Sequence, residues 1–407
     1  MPHASAPMDD AGRTAIVLPP TRGDWSVAAE RVGGVPLLRR ILVSAQRAGV
    51  RRVIICAGDA APRLHALVRE RPPESRIEWV GTEPEAVSEA VGGNGTSPCF
   101  FIRASTVLNP PLLTELRAAY HPGAPCVVPA GQGSDAPVAL GSPAAPTGRP
   151  QPPIRVPLSG AAVCLDLATT TAEAAAEALY RALGRPTDSW LTPRSRSLLF
   201  PIVRALVDTP VTPNHVTLAG FVVGLGAIAC LWQGDYAWTV LGGMLFVLAY
   251  LTDLLDGMLA RLKLQESRWG GVMDYVLDNL VHLGIFAAIV RAVYLRHPEP
   301  TVLLVGALLL VGVIASAGIV ATHVIRPRRP VNRLLAQLTH RDFALIVLLA
   351  ALVDRLEGFL WAAAIGINLF WPSALALLIR DRRAERQEHP ETAAHLAPRP
   401  VSADREA

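Results

Sequence analysis

Residues 253–278 read DLLDGMLARLKLQESRWGGVMDYVLD and lie in a strongly apolar part of the chain. Asp253 and Asp256 are three residues apart, and Asp274 and Asp278 are four apart, so each pair lies on one face of a predicted helix. An ionised carboxylate inside a membrane helix is costly and rarely occurs there without a function. If the two helices pack side by side, the four carboxylates converge and require a positive partner.

Divalent metal ions are the simplest partner for this cluster. Carboxylate oxygens suit Mg²⁺ or Mn²⁺, and two ions roughly 3.5–4 Å apart can hold a diphosphate for in-line displacement at phosphorus. Gly257, Ala260 and Gly270 have little or no side chain, so a bulky polar ligand can approach the backbone. Arg261 lies beside the acidic face, where it can contact a phosphate through two hydrogen bonds. The alternative is a structural set of ion-paired residues at the cytosolic ends of two membrane helices.

The stretch follows the pattern D-x-x-D-G-x-x-A-R-(x)8-G-x-x-x-D-x-x-x-D, with every fixed position filled. This pattern resembles the signature of the CDP-alcohol phosphotransferases. The resemblance implies that an acceptor hydroxyl displaces CMP from a CDP-alcohol. It implies metal ligation by Asp253, Asp256, Asp274 and Asp278, with Asp278 also acting as the general base. It also implies that four residues line the CDP site: Gly257, Ala260, Arg261 and Gly270.

A second stretch of the same family precedes the first apolar segment. The family's Pro-Asn-x-x-Thr sequence occurs here at residues 213–217. The resemblance therefore adds Asn214 and Thr217 to the residues facing the CDP pocket. Proline followed by a polar residue is also a favourable helix start, so helix capping is the alternative role for this pair.

The apolar residues concentrate after residue 213 and predict a membrane domain of six spanning helices. A span needs about 20 mostly apolar residues. The fifth uninterrupted run, residues 343–353, is too short, so we expect that helix to begin near residues 332–338. This start would bring Arg341 to membrane depth, where it contacts the acceptor or a phosphate, or acts as an interfacial anchor. The predicted segments are 215–232, 236–259, 272–294, 301–322, 336–353 and 358–379.

Arginine positions indicate the membrane topology. Arginines and a lysine cluster before the first segment, between the second and third, between the fourth and fifth, and after the sixth. By the positive-inside rule, both termini and the aspartate site are cytosolic, as expected for an inner or plasma membrane protein. The net charge of +4 is small and its arginines flank the apolar segments, which indicates a bilayer partner and no nucleic acid.

The remaining boundaries follow from patterning. We expect an amphipathic helix in the membrane interface at 188–209, a transmembrane domain at 210–383, a flexible start at 1–13 and a disordered tail at 384–407. A plain linker is the alternative for the amphipathic stretch. Small residues on the fourth segment suit close helix packing, at a dimer interface in one interpretation. They are Gly306, Gly312, Ser316 and Gly318.

Residues 14–187 alternate strand-like and helix-like runs, which predicts a cytosolic α/β domain with a mainly parallel sheet. The five cysteines of the chain show no CxxC spacing and are expected to be reduced thiols. The order of elements resembles the nucleotidyltransferase fold. Active members have a glycine-rich phosphate loop, a lysine before Pro-Leu, and an aspartate after a later strand. Here residues 19–25 read PPTRGDW, Val35 occupies the lysine position, and the later strand ends in Arg103-Ala104-Ser105. We therefore predict a degenerate domain that makes no CDP-alcohol.

The order of the two domains resembles bifunctional enzymes that make CDP-inositol in one domain and consume it in the other. Donors or acceptors of the inositol type follow from this resemblance, as does a homodimer from the membrane family. Two other functions are open: a cytidylyltransferase whose membrane half is an anchor, and a non-enzymatic transport or scaffold protein. The missing phosphate loop argues against the first. The clustering of the acids at one end of the bundle argues against the second.

Overall fold

The computed structural model describes residues 11–20, 24–69, 74–91, 97–121, 126–130, 136–142, 152–184, 192–325 and 343–388. The chain divides into two compact units. The first contains residues 1–186, 193–213 and 254–266, and the second contains residues 187–192, 214–253 and 267–407. One long helix contributes to both units, because its last turns belong to the first unit and the rest belongs to the second.

The first unit contains a seven-stranded sheet with the order β10-β8-β9-β6-β1-β4-β5. Four of its six strand pairings are parallel, and the two made by β9 are antiparallel. The prediction of a mainly parallel sheet is therefore confirmed. The strands are β1 (Thr14–Leu18), β2 (Arg31–Val32), β3 (Val35–Pro36), β4 (Arg52–Cys56), β5 (Arg76–Val80), β6 (Cys99–Arg103), β7 (Thr106–Leu108), β8 (Cys126–Pro129), β9 (Val138–Gly141), β10 (Ile154–Val156) and β11 (Cys164–Asp166).

The centre of this sheet is fully buried, because its strands are continuous apolar runs of the kind found in sheets that are covered on both faces. Ile16 of β1 pairs with Ile54 of β4, and both side chains are 0% exposed. All five cysteines are free thiols, as predicted. Burial raises the pKa of Cys56 to about 11, so this thiol stays protonated at neutral pH. The helices of this unit are α1 (Leu37–Arg47), α2 (Ala61–Arg69), α3 (Pro84–Val91), α4 (Pro110–Ala119), α5 (Ala172–Arg181) and α6 (Thr192–Val207).

Helix α6 is amphipathic within the first unit. Leu199 and Val203 are buried, whereas Leu198 is 74% exposed and Ile202 is 47% exposed. An ion pair of 2.7 Å links Arg204 to a glutamate of α5. The two exposed apolar side chains are suited to a membrane surface. The interfacial location of this helix stays a prediction.

The second unit is built from long apolar helices. Among the described residues, five helices are long and apolar enough to cross a membrane. The helix at 343–352 has only ten residues, and the earlier start predicted for it near 332–338 lies outside the described residues, as does Arg341. A helical membrane bundle is therefore confirmed, and the count of six spans stays a prediction. The helices are α7 (Pro213–Gln233), α8 (Tyr236–Leu262), α9 (Arg268–Arg296), α10 (Pro300–Ile325), α11 (Phe343–Leu352) and α12 (Leu356–Glu388).

Small residues allow close packing inside this bundle. A Cβ at Gly306 would lie 2.5 Å from the Val290 side chain, and one at Gly312 would lie 2.8 Å from Ile367. These two glycines of α10 therefore make contacts with α9 and α12 possible within one chain. A dimer interface stays a prediction. His282 stacks edge-on against a phenylalanine of α11 at 5.0 Å, which fits a structural role for this histidine.

Candidate active site

Helices α8 and α9 bring three carboxylates together. Asp253, Asp256 and Asp274 each offer one oxygen, and these three oxygens all lie within 4.8 Å of one another. Asp253 and Asp274 both belong to the second unit, and Asp256 lies one turn after Asp253 on the same helix. The convergence predicted from the spacing is therefore confirmed for three of the four acids. Asp278 is outside this group and lies one turn further along α9, half-buried.

This arrangement fits a divalent cation. Asp256 is only 6% exposed, and Asp253 and Asp274 are half-buried. One oxygen of Asp274 and one of Asp278 are buried from solvent. Like charges at this separation in a partly buried setting oppose one another, and a bound cation would remove that cost. The donors are hard carboxylate oxygens, which Mg²⁺ and Mn²⁺ prefer.

The connection between the two helices fixes where the acids lie. Helix α8 ends in a Schellman turn, in which the Gln265 amide donates to the Ala260 carbonyl and the Leu264 amide donates to the Arg261 carbonyl. Leu264 takes the left-handed conformation at φ 56°, where glycine is usual. Helix α9 then begins after Ser267, whose Oγ accepts a 2.9 Å hydrogen bond from the Gly270 amide. This N-cap was not predicted from the sequence, although a serine directly before a helix is a recognisable signal.

Gly257 and Gly270 have different structural roles. A Cβ at Gly257 would meet only the Arg261 guanidinium, at 3.9 Å, so the space beside this glycine is open. A Cβ at Gly270 would lie 2.9 Å from the Ser267 Oγ and 3.6 Å from the Asn214 Oδ1. Gly270 therefore allows close approach of the cap and of the start of α7. Gly257 leaves room for a ligand next to the acidic face.

The structure brings some of the predicted CDP residues together. Asn214 lies beside Gly270, and the Arg261 side chain folds back along α8 towards Gly257. Ala260 and Thr217 are half-buried on the last turn of α8 and the first turns of α7. Their contact with a nucleotide stays a prediction.

Lys263 is a residue that sequence reasoning missed. Its Nζ donates 2.7 Å hydrogen bonds to the carbonyls of Thr209 and Val211, and so ties the end of α8 to the segment that leads into α7. A lysine in a charged loop gives no sequence signal for such a bond, because lysines there are ordinarily solvated.

Comparison with known proteins agrees with this geometry. Residues 210–371 match the family model described as CDP-alcohol phosphatidyltransferase. The chain is 36% identical over 104 residues to a phosphatidylinositol phosphate synthase of Cutibacterium acnes, covering 25% of this chain and 48% of that protein. It is 35% identical over 122 residues to the inner membrane protein YnjF of Escherichia coli, covering 30% of this chain and 55% of that protein.

A third relative has two activities in its name. The chain is 34% identical over 97 residues to a bifunctional IPC transferase and DIPP synthase of Thermococcus kodakarensis, covering 24% of this chain and 21% of that protein. The first two matches span about half of each relative's length. Residues 210–371 of this integral membrane protein, which contain the three converging aspartates, are therefore similar to the CDP-alcohol phosphatidyltransferase family.

Proposed function

We propose that the chain transfers a substituted phosphate group from a CDP-alcohol to an acceptor hydroxyl and releases CMP. The observation that carries this proposal is the group of three carboxylates within 4.8 Å of one another, beside the open space at Gly257. A nucleotide diphosphate needs both features, because its negative oxygens require cations and its bulk requires a gap in the helix surface.

The roles of the residues follow the family pattern. Mg²⁺ or Mn²⁺, as two ions held by Asp253, Asp256 and Asp274 with Asp278 as a further ligand, would supply positive charge to the diphosphate oxygens. Asp278 takes the proton of the acceptor hydroxyl. The acceptor oxygen bonds to the β-phosphorus, and the bond from that phosphorus to the bridging oxygen breaks, so the electron pair leaves with CMP. The CDP moiety is oriented by six residues: Asn214, Thr217, Gly257, Ala260, Arg261 and Gly270.

We further propose substrates of the inositol phosphate class. This proposal rests on the names of the relatives, two of which are a phosphatidylinositol phosphate synthase and a bifunctional IPC transferase. Arg341 is the proposed contact to the acceptor, because a guanidinium binds a phosphate oxygen pair well. The product would belong to phospholipid or inositol-phosphate synthesis.

The proposed membrane arrangement has six spans, with both termini and the site in the cytosol. The short helix α11 becomes a full span if it starts before Phe343, and the arginine distribution supports the orientation. The proposed transmembrane domain covers residues 210–383, and the proposed oligomer is a homodimer. Residues 14–187 are proposed to be a degenerate nucleotidyltransferase-like domain, flanked by the interfacial helix at 188–209.

The test is product analysis with the purified full-length chain in detergent and Mn²⁺. CDP-diacylglycerol or CDP-inositol is supplied together with candidate alcohols, and both CMP and the new phosphodiester are measured by mass spectrometry. We expect CMP release that needs both substrates and that falls strongly in Asp278→Asn while the protein stays folded. Full activity of that variant would reject the base assignment. No phosphodiester with any pair, in protein that binds Mn²⁺, would reject the reaction.

The competing cytidylyltransferase function has its own readout. The full-length chain is incubated with CTP and sugar or polyol phosphates, and pyrophosphate release is measured. We expect none, because prolines and an aspartate occupy the place of the phosphate loop and a proline has no amide to donate.

A further inference from the structure

Helix α9 packs most extensively against α10 within the second unit. The two helices make different contacts at their two ends. At the end far from the acids, Gly306 of α10 lies so close to Val290 that an added Cβ would be 2.5 Å from the valine side chain. At the end that carries Asp274, the hydroxyl of Tyr275 donates a 2.5 Å hydrogen bond to the Ala317 carbonyl of α10. A side-chain hydrogen bond therefore joins the acid-bearing turns of α9 to α10.

Tyr275 is held in two ways. It directly follows Asp274 and is half-buried. Its hydroxyl is bound to α10, and its own carbonyl accepts a 2.7 Å hydrogen bond from the Asn279 Nδ2, one turn further along α9. Ala317 has only a methyl side chain, so the phenol can reach the main chain of α10. The main chain of Tyr275 is therefore held by Asn279, and its ring is held by α10.

The acidic group explains why α9 needs such a contact. Asp253 of α8 and Asp274 of α9 belong to the three carboxylates whose oxygens lie within 4.8 Å of one another, and their like charges repel. This repulsion acts between two helices, and a small rotation or shift of α9 would relieve it by carrying Asp274 away. A metal site tolerates little of this movement, because its ligands must lie within about 0.5 Å of the productive geometry. The hydrogen bond from Tyr275 to α10 opposes the movement.

We propose that Tyr275 is a positioning residue for the metal site, an inference that rests on the proposed metal-dependent transfer. It acts through Asp274, because the hydrogen bond to α10 fixes the rotation of α9 and keeps the Asp274 carboxylate close to Asp253 before an ion binds. Ordering that is complete before binding raises affinity. Loss of the Tyr275 hydroxyl therefore weakens metal binding, and it changes the rate at saturating metal much less.

The test compares two tyrosine-to-phenylalanine variants of the full-length protein in detergent. Tyr275→Phe removes only the hydroxyl and keeps the ring. Tyr236→Phe is the matched control, because the Tyr236 hydroxyl also donates to a carbonyl of another helix, that of Leu352 at 3.1 Å, but at the end of α8 opposite the acids. Asn279→Leu is a third variant, which removes the hydrogen bond to the Tyr275 carbonyl. Free Mn²⁺ is measured by electron paramagnetic resonance without substrates, and CMP release is measured as a function of Mn²⁺ concentration.

We expect Tyr275→Phe to raise the Mn²⁺ dissociation constant about tenfold, the order found when a residue that supports a metal ligand is removed. CMP release at saturating Mn²⁺ should stay near that of the parent. Asn279→Leu should raise the dissociation constant by about threefold, as expected for one weak hydrogen bond. Tyr236→Phe should bind Mn²⁺ as the parent does.

Unchanged Mn²⁺ affinity in Tyr275→Phe would overturn the proposal. An equal loss of affinity in Tyr236→Phe would also overturn it, because any weakened contact in the bundle would then have the same effect. If Tyr275→Phe does not fold, the parent's affinity in Asn279→Leu overturns it instead. The proposed reaction fails separately: a parent protein that binds Mn²⁺ but releases no CMP would reject the transfer, while the binding measurement still decides the role of Tyr275. A parent that binds no Mn²⁺ would reject the metal site and this proposal together.

Discussion

The two halves of this chain hold their charges in opposite settings. In the membrane half, three aspartates converge among apolar residues on α8 and α9. In the N-terminal half, arginines converge on backbone carbonyls, within a domain that is rich in charges elsewhere. A charged side chain in an apolar membrane helix is costly, so its position in the sequence already indicates a functional site. A charge in a soluble domain has many tolerable positions, so only the folded structure shows what it does.

The largest expected effect is the loss of CMP release when one of the three converging aspartates of the membrane half is neutralised. Asp256 is the most buried of the three converging acids, so neutralising it removes a ligand charge that water cannot replace. We expect Asp256→Asn to lower CMP release by about 10³-fold, the order seen when charge stabilisation in a site is lost. The measurement is CMP release at saturating Mn²⁺. The exposed Asp235→Asn, at the opposite end of α8, is the control and should keep full activity. Substantial activity in Asp256→Asn would contradict the metal assignment.

In the N-terminal half, we expect replacement of the buried Arg40 to lower the stability of the fold. Arg40 donates to the carbonyls of Val32, Gly33 and Leu262, and burial lowers its pKa to about 10, so it stays charged at neutral pH. Arg40→Met keeps the volume but leaves these buried carbonyls without their donor. We expect a loss of about 3 kcal/mol in the free energy of unfolding. The measurement is the thermal midpoint in detergent, compared with Arg63→Met on the exposed face of α2.

The outcome of that experiment separates two roles for the N-terminal half. A lower midpoint with retained CMP release per folded molecule would mean that the domain stabilises the end of α8. An unchanged midpoint would contradict the view that Arg40 links the β2–β3 hairpin to that helix.

Much of the membrane half could be predicted from the sequence, for a physical reason. Apolar runs of about 20 residues have few alternatives to spanning helices, and acids at i, i+3 or i+4 within them must share a face. The α/β alternation and the mainly parallel sheet of the N-terminal half were also predicted. The Schellman turn at Leu264 could not be predicted, because glycine, not leucine, is the usual residue in that conformation. The partners of Arg40 and Lys263 are carbonyls distant in sequence, and carbonyls carry no residue-specific signal.

A smaller effect on CMP release is expected from filling the open space beside Gly257. A methyl group at residue 257 would meet only the Arg261 guanidinium, so Gly257→Ala should fold normally and gain helix propensity. The methyl would occupy space that we assign to the nucleotide. We expect CMP release at low CDP-alcohol concentration to fall about tenfold, which corresponds to about 1.4 kcal/mol of lost binding. Gly271→Ala, on α9 with nothing within 4 Å of the added atom, is the control. Equal kcat/KM values for the two variants would show that the space at Gly257 is not used.

The smallest expected effect concerns an exposed ion pair between the N-terminal domain and the α8–α9 connection. The experiment asks whether this pair adds to the stability of that contact. Arg47 at the end of α1 pairs with Glu266, and their side chains are 27% and 40% exposed. Exposed pairs gain little, because water screens the charges and ordering two long side chains costs entropy. We expect Arg47→Gln and Glu266→Gln to have a coupling energy of about 0.5 kcal/mol or less in a double-mutant cycle of thermal stability. A coupling energy as large as the loss of unfolding free energy in Arg40→Met would contradict this expectation. It would mean that the Arg47–Glu266 pair stabilises the contact with the α8–α9 connection more than the buried Arg40 guanidinium does. The small value is expected because water screens the exposed Arg47–Glu266 pair, whereas Arg40 donates to the carbonyls of the buried residues Val32 and Leu262.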